Sequence, residues 1–296
     1  MTQSKPILET KGLCKSFGSV QAIQDISLRF EAHGIYGLLG RNGAGKTTLL
    51  NIISSRIYAD HGSVFCLGKE ISNHPDVIAR NCCYMPEKHY FPGALSVQRL
   101  FALAQKSFPD YSVAAEARLC RIFDLNIKQK YSALSRGYQS IFRIVLGLAS
   151  NARITLFDEP VLGLDAVARD RFHRVLIESF SANPRLFILS THFIEESADL
   201  FNEAIIIDQG RVIRQAPVDA LLANAFSVSG KTARVDTFSE NYNVLGSETL
   251  GGMKTVVVEG GETPAAGMPG LKFSPLTIQK LFIHLTASSK EQESQP

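Results

Sequence analysis

The chain of 296 residues lacks any run approaching the roughly 18 apolar residues that a membrane-crossing helix needs. Its first residues also lack the apolar core of a secretion signal, so any work at a membrane is expected to need another chain for the crossing. Paired cysteines are missing as well. The five present, Cys14, Cys66, Cys82, Cys83 and Cys120, are odd in number, lie in apolar runs and show no C-x-x-C spacing. That argues against disulfides and zinc and suits reduced core residues of a cytosolic protein. A net charge of +3, with no cluster of Lys and Arg interleaved with aromatics, gives no reason to expect nucleic acid or anionic lipid as a partner. No internal repeat is visible. What remains is the composition of an α/β protein, long enough for one large domain or for a medium domain plus a small one.

The most informative stretch is Gly40 to Thr48, GRNGAGKTT, which satisfies the pattern G-x-x-x-x-G-K-[ST]. It follows an apolar run, Ile35 to Leu39, and opens an amphipathic segment, Thr47 to Ile57, so strand, glycine loop and helix come in the order of a phosphate-binding loop. The glycines let the backbone N–H groups of Asn42, Gly43, Ala44, Gly45 and Thr48 turn around a phosphate, which the positive end of the following helix also attracts. Lys46 would reach the outer phosphates, and the Thr47 hydroxyl would ligate Mg²⁺.

Before this loop, Ile26, Leu28 and Phe30 alternate with Ser27, Arg29 and Glu31, as in an antiparallel sheet with one wet face. Phe17 falls in the turn between two such strands, where a ring either packs or lies against a flat ligand. After the loop, Gly62 to Gly68 and Cys82 to Met85 read as short strands, the second placing Glu87 on the nucleotide side. Helical spacing dominates from about 95 to 150, with Pro109 as a break. Within it, Leu134-Ser135-Arg136-Gly137-Tyr138 precedes a long apolar helix with Ser135 as its cap. Ile154 to Phe157 then runs into Asp158-Glu159. A buried parallel strand ending in acids is where α/β sheets place ligand chemistry, and Asp158 fits the metal-holding role. Another apolar strand, Leu186 to Ser190, ends at Thr191-His192, and the histidine is either structural or part of the same site. A hairpin over Ile205–Ile213 and a short helix, Val218 to Ala225, close the main domain. From 227 onward Ser, Gly and Pro264, Pro269 and Pro275 punctuate short strands, Leu276 to Leu285 looks helical, and Ser288 to Pro296 reads as a polar tail.

In this order, Phe17, Gly40 to Thr48, Glu87, Leu134 to Tyr138, Asp158-Glu159, Gly163-Leu164-Asp165 and His192 resemble the motif set of the ATP-binding cassette ATPases, the nucleotide-binding subunits of transporters. The resemblance covers residues 7 to 225. It implies a P-loop ATPase core with an antiparallel β subdomain and a helical insert over residues 1–226, followed by a small α+β accessory domain over 227–296. It also implies two cassettes head to tail, each ATP lying between the phosphate loop of one and the signature segment of the other. Ser135 and Gly137 would then touch the γ-phosphate across the interface, and Asp165 would line it. Asp158, with Thr47 and Glu87, would hold Mg²⁺; Glu159 would polarise the attacking water, His192 would orient the γ-phosphate, and Phe17 would stack on adenine. The partners implied are a separate transmembrane permease and a second cassette, with no nucleic acid. The subunit would sit in the cytoplasm, held at the inner face of the membrane by its permease.

Three positions depart from the family pattern: LSRGY stands where LSGGQ is usual, Glu87 where Gln is commoner, and Phe17 where Tyr is commoner. The last seventy residues look like the small extension of cassettes in drug and antimicrobial-peptide export or resistance. A soluble cassette ATPase acting on ribosomes, nucleic acid or a regulatory complex is the alternative, but the tandem cassettes, coiled coils and basic extensions of such proteins are not seen. A P-loop kinase or GTPase would leave the 134–138 segment and the acidic pair without joint explanation, and an N-K-x-D guanine motif is lacking.

Overall fold

The structure is a computed structural model describing residues 5–88, 91–261 and 268–292, with side chains as far as residue 287. Pro264 and most of the expected polar tail, 288–296, therefore fall outside the described residues or their side chains.

The first two strands, β1 (Leu8–Phe17) and β2 (Val20–Phe30), pair antiparallel, with Ile26, Leu28 and Phe30 buried and Ser27 and Arg29 exposed, as alternation requires. β3 (Gly34–Gly40) is buried at every residue, and α1 (Lys46–Ile53) leaves the loop that follows it. The chain then adds β4 (His61–Cys66) and the short β5 (Lys69–Glu70) to the first sheet, giving the antiparallel order β2-β1-β4-β5. α2 (Pro75–Asn81) leads to β6 (Cys82–Met85).

The helical insert consists of α3 (Val97–Ser107), α4 (Val113–Ile122) and α5 (Arg136–Ala149). Each is started by a serine, Ser96, Ser112 and Ser135, whose hydroxyl accepts from a backbone N–H three residues on. β7 (Ile154–Asp158), α6 (Ala166–Ala182) and β8 (Leu186–Thr191) complete the alternation of strand and helix. The parallel strands run in the order β3-β8-β7-β6. In β3, β7 and β8 every residue is buried, which is why these segments appear in the sequence as unbroken apolar runs rather than alternating ones. Cys66 and Cys83 lie wholly inside, and burial pushes their thiols up to about 11 and about 12, so they are inert packing groups.

Compactness divides the chain into two units. The first runs to His192 and includes Leu200–Asn202 and Ile207–Val212; the second takes Phe193–Asp199, Glu203–Ile206 and everything from Ile213 on. The division passes through β9 (Glu203–Asp208) and β10 (Arg211–Pro217), after the one-turn helix α7 (Ile194–Ser197). In the second unit α8 (Val218–Ala223) precedes β11 (Ala225–Lys231), α9 (Thr232–Ser239), β12 (Asn243–Leu250), β13 (Met253–Glu259), β14 (Leu271–Pro275) and α10 (Ile278–Gln292). Its strands form one antiparallel sheet, β12-β13-β11-β14. Phe226, Val228, Val235, Phe238, Val256 and Val258 make its core, with the Phe238 and Tyr242 rings stacked at 4.8 Å. The buried apolar residues of α10, Ile278, Leu281, Phe282 and Leu285, follow helical spacing. The expected joint after residue 226 falls inside β11. Phe226 pairs with Val258 and Pro275 and is fully buried, so the strand has already begun where the short helix was expected to end.

One glycine decides how closely α5 approaches the parallel sheet. A Cβ at Gly147 would lie 2.6 Å from two atoms of the Phe157 ring on β7. Gly147→Ala should therefore destabilise the fold by about 1–3 kcal/mol despite the better helix propensity of alanine. The midpoint of urea unfolding checks this, and Phe157→Leu added to it should recover part of the loss.

Candidate functional site

The site grows from the point where β3 ends. Gly45 has φ 106, a left-handed conformation, and a Cβ there would also lie 2.5 Å from the Ala22 carbonyl oxygen, so only glycine turns the chain into α1 at this place. Gly40 is equally confined, with a would-be Cβ 2.6 Å from the Ile207 carbonyl oxygen. The Lys46 side chain folds back over this loop and its Nζ donates to the carbonyl oxygens of Gly40, at 2.7 Å, and Arg41, at 3.2 Å. Burial holds the Lys46 ammonium below its ordinary pKa, against the opposing pull of Glu159, Asp158 and Glu87.

Asp158 closes β7 and is fully buried. Its Oδ2 accepts from Thr47 Oγ1 at 2.8 Å and from the Tyr84 hydroxyl at 3.4 Å, and its Oδ1 accepts from Ser190 Oγ. Burial, with the Asp158 charge next in size, pushes the Tyr84 hydroxyl well up, which keeps it a donor. Glu159 follows with φ 49, and its N–H donates to the Ser190 carbonyl at 3.0 Å. This sharp turn aims the side chain towards His192, whose Nδ1 lies 2.9 Å from Glu159 Oε2. Burial raises the Glu159 carboxyl above its usual range, while His192 and Lys46 pull it down.

These groups line a single cleft of about 960 Å³ that holds Arg41 to Thr48, Glu87, Asp158, Glu159, Leu162 and His192, with Ser19, Val20, Gln21, Ala22 and Gln24 on one side. Phe17 ends β1 beside that side, half exposed, with Lys15 Nζ 5.6 Å from its ring centre; its ring does not line the cleft. Ser135, Gly137 and Asp165 are elsewhere. They line a second hollow of about 660 Å³ together with Arg136, Tyr138 and Gly163. There Ser135 caps α5 and Asp165 caps α6, the latter accepting from the Ala168 N–H at 2.7 Å. Sequence reasoning missed Ser190 and Tyr84 as partners of Asp158. Position alone could have suggested Ser190, because it stands on the strand that ends at His192.

The donor set suits a phosphate and a hard divalent cation. A backbone cradle with no room for side chains at Gly40 and Gly45 leaves N–H groups to face an anion. Among the described residues no cluster of three or more His, Cys, Asp or Glu could hold a metal alone. A carboxylate and a hydroxyl in contact, Asp158 and Thr47, match the way Mg²⁺ is held, by few protein oxygens completed by phosphate and water.

Comparison with known proteins agrees with this chemistry. Residues 23–162 match the family model described as ABC transporter. The ABC transporter ATP-binding protein YtrB of Bacillus subtilis (strain 168) is 29% identical over 73% of this chain and 73% of its own length. The Nod factor export ATP-binding protein I of Ralstonia nicotianae is 26% identical over 96% of this chain and 94% of its own length. The arabinose import ATP-binding protein AraG of Shigella dysenteriae serotype 1 is 31% identical over 72% of this chain, which spans only 44% of that protein. Among solved structures, the dimeric bacterial ABC transporter cassette MJ0796 superposes with a TM-score of 0.64 at 18% identity, covering 71% of this chain and 98% of its own; the same cassette is also known in a post-hydrolysis state with ADP and Pi. These findings support an ABC nucleotide-binding subunit, an ATPase on the P-loop α/β fold, with the family match itself lying over residues 23–162.

The raised Glu159 carboxyl has a consequence for stability. Because the fold favours its protonated form, the stability it contributes is present below the ordinary glutamate range and is lost as pH rises through the raised folded value. Glu159→Gln, which cannot ionise, should raise the Tm of the ligand-free protein at about pH 8 and leave it near wild type at about pH 4. A thermal melt series across pH checks this; an equal shift at both ends would contradict burial as the dominant cause.

Proposed function

We propose that this chain pairs head to tail with a second cassette around two ATP molecules, and that closing and opening of the pair drives a separate membrane permease, with export as the direction. The observation that carries the reading is the separation of the two hollows. The phosphate-loop cleft holds Lys46, Thr47, Glu87, Asp158, Glu159 and His192, whereas Ser135, Gly137 and Asp165 line another surface of the same unit. A nucleotide in the cleft of one chain can meet Ser135 and Gly137 only if a second chain brings them. Export is favoured because the alignment with the Nod factor export protein extends over 96% of this chain, the region of the second unit included. No helix among the described residues is long and apolar enough to cross a membrane, which fits a subunit acting through a permease at the cytoplasmic face. We place the cassette domain in residues up to the start of β11 and a small accessory domain after it.

In this reading the cradle and Lys46 bind the phosphates, and Asp158 and Thr47, with Glu87 beside them, would hold Mg²⁺, which when bound would supply neutralisation of the phosphate charge. Glu159 accepts the proton of the attacking water, a role that its raised pKa and buried position favour. His192 fixes the Glu159 carboxylate by the 2.9 Å contact and presents its other face to the cleft. Phe17 flanks the base, and Asp165 faces the partner chain.

Glu159→Gln should keep ATP affinity within about threefold of wild type, lower turnover by about a thousandfold or more, and accumulate an ATP-bound dimer on size exclusion. Lys46→Ala should instead lose ATP binding. Wild-type hydrolysis by Glu159→Gln would remove Glu159 from the chemistry, and a monomer that turns over ATP normally at all dilutions would remove the shared site.

A further inference from the structure

Arg143, in the middle of α5, is about 4% exposed, and none of the ion pairs of the described residues includes it. A guanidinium taken out of water without a carboxylate partner is costly unless its donors find other acceptors. Here they find two. Nη1 donates to the Pro86 carbonyl at 2.9 Å, and Nη2 donates to Ser140 Oγ at 2.6 Å. The Ser140 hydroxyl in turn donates to the Leu162 carbonyl at 2.8 Å. One side chain and its neighbour one turn earlier thus hold two loops: the one that carries Glu87 directly after Pro86, and the one that leaves Glu159 and leads to Asp165.

We propose that Arg143 and Ser140 are positioning residues that lock both loops to α5, so that the Glu87 side of the cleft and the Asp165 edge of the second hollow move together with the helix that starts at Ser135. Charge supports the same assignment. Three carboxylates, Glu87, Asp158 and Glu159, line the cleft together with two cations, Arg41 and Lys46. Arg143 adds a third positive charge from behind the loop, where it also feels Glu87 and Asp158. A lysine at this position has one nitrogen and could satisfy Pro86 or Ser140 but not hold both in the same fork.

Two probes follow the two loops separately in the nucleotide-free protein, so the test does not depend on the ATPase reading. Lys88, exposed just beyond Glu87, reports the first loop through its rate of cleavage by trypsin. The second loop is reported by hydrogen exchange at the amides of Leu162 and Leu164, which bond to the carbonyls of Glu159 and Val161. Arg143→Met should speed both cleavage and exchange by about tenfold or more, Arg143→Lys should give a partial effect on both, and Ser140→Ala should speed exchange at Leu162 and Leu164 while cleavage after Lys88 stays at the wild-type rate. In the ATPase assay Arg143→Lys should lower kcat by about tenfold with KM for ATP changed less than about threefold, because the phosphate loop itself is untouched. The proposal is overturned if both loops of Arg143→Lys behave as wild type, if Ser140→Ala loosens both loops equally, or if exchange rises uniformly through the unit, the mark of general destabilisation. Should Arg143→Met fail to fold, Arg143→Lys and Ser140→Ala carry the test.

Discussion

The position of the Asp158 carboxylate constrains most of the first unit. A fully buried negative charge is tolerated only when hydrogen-bond donors converge on it, and here they come from three separate elements: Thr47 on α1, Tyr84 on β6 and Ser190 on β8. Asp158 and Ser190 are register partners across β7 and β8, so a slip of either strand by one residue would turn one of them to the opposite face. The same carboxylate anchors the first turn of α1 through Thr47. The phosphate loop is therefore held to the sheet at both of its ends, by the continuous strand β3 on one side and by a side-chain contact to β7 on the other.

From this anchoring follows the electrostatic character of the cleft. Glu159 is raised and Lys46 lowered, and in each case burial is the largest cause. One dry environment thus pushes a carboxylic acid and an ammonium towards neutrality together. A polyanion arriving over the cradle would oppose the shift of the lysine and add to that of the glutamate. Under the proposed function, binding and proton acceptance would be coupled through the field of the same phosphates. The Lys46 ammonium bonds to carbonyl oxygens of its own loop, so a phosphate would exchange with acceptors already in place and leave no buried cation bare.

Much of this was legible in the sequence because it rests on local rules. The cradle is a short string of residue types with a fixed order, the buried strands are apolar runs, and Ser135 stands as a cap before a long apolar helix. The P-loop α/β fold followed from these. What the sequence concealed depends on contacts between distant segments. Nothing local marks Gly147 as the place where α5 meets the Phe157 ring. Arg143 sits in an apolar helix face, and its acceptors are a carbonyl far upstream and a hydroxyl, neither of which periodicity marks. The helix expected over Val218 to Ala225 stops at Ala223, because Ala225 and Phe226 are claimed by the second sheet and Phe226 by its aromatic core. Tertiary packing overrode local preference at that point.

The departures from the family pattern acquire a physical ordering once the second hollow is described. A Cβ at Gly137 would lie 2.8 Å from the Gly163 carbonyl oxygen, so the backbone leaves no side chain room there, and Ser135 is needed to cap α5. The two altered positions, Arg136 and Tyr138, are exposed on either side of that glycine. Arg136 also places a cation in the first turn of a helix, where the dipole disfavours it by about 0.3–1 kcal/mol unless an anion is near. Packing therefore fixes the residues that shape the hollow, and the residues that differ are those free to meet whatever the hollow faces.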